Sequence, residues 1–556
     1  MQAWLCIYIL AYWMDGPSYP YLEAGLSREE AVVHLLNRMT FGPGPDDSVR
    51  VMEMGLEAWF RQQLTGALPD EDLEIKLKRY PVMNMSGEKL LHIYPTRNRL
   101  RKMAMEDGVL TSDVDGEQDA AARIAILKKY AAQTGARPPR EIIEQMKGQK
   151  LTRAVLSQNQ VQEVMTDFWL NHFTVSWVNK RARHFIPSYE RDAIRPNALG
   201  NFRQILDAVA KHPAMLLYLD NAGSTADPQE ITTMEMAMKD LGIPDRRSSR
   251  KMKRIKNQRG INENYARELL ELHTLGVDGG YRQQDVVETA RAFTGWTVWP
   301  MGDQADKLLQ RLKRGRAVGF ERQNNFLFRA DAHDAGPKKI LGVRFPKGGG
   351  LEEGDKVLDL LANHPSTARF IALKLARRFV ADNPSEKLVH AMAAAFRNSG
   401  GDIKTVLNTM LQSKEFWLQA SEPNKIKTPL ELAASSVRAL DAQLFGTRKL
   451  ADWVEKMGQP LYASPAPNGF SDLGANWLNA ATLILRNDFL EKLASRRVPG
   501  VQLSQKYSGT MDIETARLWM RTVFCPSGYT HSETMIHQLP NLNITAVLTS
   551  PGFQQK

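Results

Sequence analysis

Along most of the chain apolar positions recur three and four residues apart, the spacing of amphipathic helices. Ser27-Arg28-Glu29-Glu30 is a capping box, and it opens an amphipathic stretch over 31–39. Phe41-Gly42-Pro43-Gly44-Pro45 stops it. A second helix is predicted over 46–64, where Val49, Met52, Leu56, Trp59 and Leu64 keep the period. Residues 117–180 read as two or three longer helices, followed by shorter ones at 202–210, 263–275 and 284–293. The pattern then fails over 296–346, where Gly, aromatic and basic residues mix and Phe326-Leu327-Phe328 fits a short strand. It resumes at 353–362, 366–381, 386–398, 403–419, 429–445 and 476–495. Residues 458–474 form a Pro/Gly/aromatic loop of a length usually functional or disordered. The expected fold is therefore all-α, a predominantly helical array with a short irregular or β segment near 296–346. Residues 27–554 are read as one helical unit of two lobes, 27–295 and 347–554, and no fixed-period repeat is visible.

Composition narrows this little. Lys plus Arg number 73 against 62 Asp plus Glu, a net charge of +11 that invites polyanionic partners. Part of the excess lies in two runs, Arg246, Arg247, Arg250, Lys251, Lys253, Arg254, Lys256 and Arg259, then Arg311, Lys313, Arg314 and Arg316. No nucleic-acid motif accompanies them, so solvated loops or an acidic polymer fit better than nucleic acid. Two cysteines, Cys6 and Cys525, build neither a disulfide framework nor a Cys-rich metal site. No interior apolar run approaches the ~20 residues of a membrane span. Residues 4–14 (WLCIYILAYWM) have the length of a signal-peptide core, without a preceding basic residue or a clear cleavage site. Residues 1–26 are read as a signal remnant or N-terminal extension, a packed helix or strand being the alternative. Phosphate-gripping, dinucleotide and Gly-x-Ser-x-Gly motifs are missing, which disfavours nucleotide-driven chemistry and serine hydrolysis.

Several sequence blocks stand out in order. They are His34-Leu35-Leu36-Asn37-Arg38-Met39-Thr40-Phe41-Gly42, Asp167-Phe168-Trp169-Leu170-Asn171-His172-Phe173, and His212-Pro213-Ala214-Met215 running to Asp220-Asn221. The most specific runs from Asn262-Glu263-Asn264-Tyr265-Ala266-Arg267-Glu268 through Glu271 and His273 to Gly276, and on to Phe293-Thr294-Gly295-Trp296. His333-Asp334, Gly458-Gln459-Pro460-Leu461 and Ser550-Pro551-Gly552-Phe553-Gln554 follow. The set resembles, over about 27–554, the bacterial family known as Domain of Unknown Function 1800. Members often look exported, so the resemblance implies an exported or periplasmic location. It brings no catalytic residues.

Candidate chemistry therefore rests on residue types. On the predicted helix 263–275, Asn264, Arg267, Glu268 and Glu271 share the polar side, with Arg267 one turn before Glu271. Glu268 and Glu271 could serve as acid and base or ligate a divalent metal. An ion-pair ladder through Glu263, Arg267 and Glu271 is the plainer alternative. Asp167, Trp169 and His172 could join that helix in a site or fix two helices through a buried polar network. Asp331, His333 and Asp334 could offer N and O ligands to zinc, manganese or iron, although no complete zinc spacing is present. Trp296, Trp299, Tyr462, Phe470 and Trp477 are loop aromatics suited to stacking on sugars or to capping the core. Glycoside hydrolysis needs carboxyl groups on opposite sides of the bond, so a partner to Glu268 or Glu271 is sought on a second element, Asp167 or Asp220.

The expected function is that of an exported carbohydrate-active enzyme, a hydrolase acting on an extracellular polysaccharide, neutral or anionic. Two rivals are a non-enzymatic envelope or assembly protein and a metal-dependent oxidoreductase.

Overall fold

A computed structural model describes residues 19–110, 120–227, 230–241, 260–301, 303–314, 317–421, 425–507, 510–511, 513–524 and 542–556. The apolar run 4–14, the basic run 246–259, Arg316 and both cysteines lie outside the described residues.

The capping box forms as read. The Ser27 hydroxyl accepts from the Glu30 N–H, and the Glu30 carboxylate accepts from the Ser27 N–H, starting helix Arg28–Met39. Its buried face sends His34 Nε2 to the Phe416 carbonyl and Arg38 to the carbonyls of Phe379 and Val380. The first helix thus lies against the distant second half of the chain.

The expected helix over 46–64 is two, Asp47–Met54 and Leu56–Gln63. Gly55 between them has φ +88°, a left-handed turn that an L-residue resists. Predicted helix 403–419 also divides, into Ile403–Leu411 and Lys414–Leu418, with Ser413 capping the second. Predicted helix 263–275 begins as α over Glu263–Glu268 and continues as a π-helix over Leu269–Leu275. A second π-helix spans Tyr189–Ile194. Helices Arg140–Leu156, Gln160–His172 and Pro365–Phe379 follow the expected pattern. The helix expected over 429–445 stops at Ala439, with Gln443–Leu444 in a strand beside Val501–Gln502, and the one expected over 476–495 spans Ala480–Ala494.

The molecule is predominantly helical, with a few short antiparallel strands. In the 296–346 segment the apolar Phe326–Phe328 is the central strand of a three-stranded sheet, between Trp296–Val298 and Glu321–Gln323. The segment is less irregular than its composition suggests, since helix Asp303–Lys313 lies within it. One buried apolar cluster takes in side chains from Tyr19 to Phe553, so the core is continuous across both halves. Among the described residues no helix is long and apolar enough to cross a membrane.

Candidate active site

A small cleft opens where helices Arg140–Leu156, Gln160–His172 and Pro365–Phe379 meet the 458–474 loop. Each helix contributes a charged residue on its inward side. Lys150 stands one turn after Met146 and two after Ile143, and Arg378 one turn after Leu375. Both occupy positions where the helical period calls for an apolar residue.

Those side chains meet over Asp167. Lys150 Nζ lies 2.6 Å from Asp167 Oδ1, and Arg378 Nη2 lies 3.5 Å from Asp167 Oδ2. Arg378, only 8% exposed, also pairs with buried Glu431 at 2.9 Å. Burial works against the Arg378 charge, but Glu431, Asp167 and Asp472 outweigh it and raise its pKa above the ordinary value. Asp472, from the loop, faces Lys374 at 3.5 Å. Two carboxylates from different elements thus line one cleft, each beside cations.

At Phe470 the loop is pinned by the side chain of Asn171. Asn171 Oδ1 accepts from the Phe470 N–H at 2.7 Å, and its Nδ2 donates to the Phe470 carbonyl at 2.8 Å. Gly469 beside it has φ +76°, and a Cβ there would fall 2.3 Å from the Asn171 carbonyl oxygen. Half-buried Phe470 packs on buried Trp477, ring centroids 6.0 Å apart, and the Trp477 indole donates to the Ser471 carbonyl. On the opposite side Tyr462 lies with its ring under Lys150 Nζ.

Of the candidate catalytic, binding and metal residues of the sequence, Asp167, Tyr462, Phe470 and Trp477 line this cleft, and the other candidates do not. Trp169 and His172 point from the same helix into the core. The Trp169 indole donates to the Ala198 carbonyl, and His172 Nε2, which must carry the hydrogen, donates to the His273 carbonyl. Phe168, Phe173 and Phe370 ring the imidazole. Burial first, then the nearby Lys374, hold His172 and His273 well below the usual histidine pKa, so both are neutral.

The Glu268 helix touches the Asp167 helix through that His172–His273 contact, but its carboxylates face elsewhere. Arg267 pairs with Glu263, Asn264 is exposed, and Glu271 accepts from the Tyr281 hydroxyl at 2.9 Å. Half-buried Glu268 has a raised pKa, from burial and then from Glu271, with Arg267 opposing. Asp220 is exposed and paired with Arg181.

The remaining candidates belong to the β segment. Trp296 is fully buried against Phe293 and Phe326, and Trp299 is covered by Arg322 at 3.9 Å. Asp334 is held by Arg291 at 2.8 Å, and Asp331 faces Arg329. His333 sits between the Thr294 carbonyl and Glu353, which also binds buried Lys338 at 2.7 Å. Among the described residues no three His, Cys, Asp or Glu side chains converge into a metal-binding group.

The ordered sequence blocks find their counterpart over nearly the full length. The family described as "Protein of unknown function (DUF1800)" matches residues 34–555. The chain belongs to this family. No curated protein and no solved structure matches it. Blocks of this DUF1800 chain supply the cleft: the Asp167 block gives the carboxylate and the Asn171 pin, and the Gly458 block enters the loop that Asn171 holds. Lys150, Arg378 and Asp472 escaped the sequence reading. For the first two a signal existed, a charge on an apolar helical face; Asp472 carried none.

Proposed function

We propose that this DUF1800 protein is an exported carbohydrate-active enzyme that hydrolyses a polysaccharide held in the Asp167 cleft. The observation that carries the reading is that Asp167, on a helix, and Asp472, on a loop, both line one cleft. Carboxyl groups from two elements can stand on opposite sides of a glycosidic bond, which Glu268 and Glu271 on one helix cannot easily do. One would take a proton from the attacking water while the other delivers a proton to the departing sugar oxygen. Lys150, Arg378 and Asn171 supply donors for sugar hydroxyl or carboxylate groups, and Phe470 an apolar face for a ring. Export is part of the proposal through the family resemblance.

A binding protein without catalysis is the second reading. It draws on one fact: Asp167 and Asp472 are both already paired with cations. Neutral and acidic polysaccharides incubated with purified protein separate the two, with binding and new reducing ends both measured. Hydrolysis predicts cleavage that Asp167→Asn and Asp472→Asn each lower by at least about a hundredfold, while Glu268→Gln with Glu271→Gln leaves it intact. Binding without cleavage would support the second reading. Cleavage lost in the glutamate variant and kept in both aspartate variants would return the chemistry to the Glu268 helix.

A further inference from the structure

Tyr462 is one of the few non-glycine residues with a left-handed backbone, at φ +59°. An aromatic L-residue pays for that conformation in steric strain, so surrounding contacts must hold it there. Three do. Its carbonyl accepts from the Trp177 N–H at 2.8 Å. Its hydroxyl donates to Glu190 Oε2 at 2.5 Å and accepts from Gln149 Nε2 at 3.0 Å. Glu190, 1% exposed, stands on the π-helix Tyr189–Ile194 and is itself fixed by Arg195 at 2.6 Å and by Gln149 at 2.8 Å.

The consequence reaches the cleft. Lys150 Nζ lies 5.1 Å from the Tyr462 ring centroid, a cation–π contact, while it pairs with Asp167. Lys150 is therefore held between the ring face and the carboxylate, and the ring is held by Glu190. Burial tends to protonate Glu190, but Arg195 and Lys150 overcome it and hold its carboxyl below the ordinary value, so the acceptor of the tyrosine hydroxyl is charged.

We infer that Glu190 and Tyr462 are positioning residues that fix Lys150 on Asp167 and so set the geometry of the cleft. The effect on a bound polysaccharide rests on the function proposed above; the fixing of Lys150 does not. Neither residue is catalytic, since Glu190 is sealed beneath the tyrosine.

The experiment uses the full chain with its lysines reductively ¹³C-methylated, which keeps their charge. The Lys150 methyl signal, identified by its loss in Lys150→Arg, should sit upfield from the ring current of Tyr462. Tyr462→Phe removes only the hydroxyl, and Glu190→Gln only the charge. In both, the signal should move toward the position of exposed lysines, and affinity for any polysaccharide the native protein binds should fall on the order of tenfold. The Glu190 variant carries the risk of unfolding, so Tyr462→Phe decides alone where Glu190→Gln does not fold. A signal unmoved in folded Tyr462→Phe overturns the inference. If the signal moves while the native protein binds no polysaccharide, the positioning role stands and the proposed substrate falls.

Discussion

His172 and His273 show what burial does to a titratable side chain in this molecule. Each imidazole is wholly buried against aromatic rings near Lys374, and protonating either would place a further positive charge beside that lysine. The pKa of His273 falls from 6.5 to about 3. Between those values the unfolded chain binds a proton that the folded chain refuses, so stability is complete above about pH 6.5 and declines as the pH falls. Going from about pH 7.5 to about pH 5 should cost about 2 kcal/mol through His273 alone. The buried carboxylates with lowered pKa, such as Asp47 and Glu190, act at lower pH and leave this window to the histidines. Urea midpoints measured across the range should fall on acidification, and the slope should flatten in His273→Gln. An unchanged slope would mean that His273 is protonated in the fold.

At the scale of elements, the 458–474 loop is shaped by its pin. A methyl group on Gly469 meets the Asn171 carbonyl at 2.3 Å and must also accept φ +76°, so Gly469→Ala displaces Phe470 from its two hydrogen bonds. We expect Gly469→Ala to cost more than about 1 kcal/mol. It should also open the loop to limited proteolysis around Phe470, whereas Gly458→Ala, strained at φ +104° but with nothing within 4 Å of its Cβ, should cost stability while sparing the Phe470 contact. Equal protease resistance in Gly469→Ala and the native chain would show that the pin is unnecessary. The same elements show what could be read beforehand. Capping boxes such as Ser27–Glu30 involve neighbours in sequence, and period alone places most helices. The π-turn of Leu269–Leu275 was not legible, because apolar spacing over seven residues does not separate π from α winding. Nor was the cleft itself: Asp167 and Phe470 were each noticed for separate reasons, but Asn171 and Phe470 meet across 299 residues. No local pattern encodes that pairing.

At the scale of the molecule, one core crosses between residues 27–295 and 347–554. Arg438 shows how the halves are joined. Its guanidinium, almost wholly buried, donates to the carbonyls of Gly42 and Val155, each at 2.6 Å, and pairs with Asp47 at 2.7 Å. One side chain from the second half thus closes three partners from the first. Arg203 and Asp359 make a more exposed link at 2.6 Å, which solvent screening leaves worth less. Removing Arg438 takes the donor from two carbonyls and leaves Asp47 with only Arg50 and the Gly44 N–H, a loss of about 2–4 kcal/mol. If the continuous core makes the halves fold together, Arg438→Ala should shift one unfolding transition, seen alike by tryptophan fluorescence and far-ultraviolet dichroism. If the lobes are independent, the two probes should separate, and the variant should move only the part that loses its partner. The cleft is tied to that outcome, because Asp167 comes from one side of the 296–346 segment and Arg378 and Asp472 from the other. A molecule that unfolded in two steps would lose its cleft at the first.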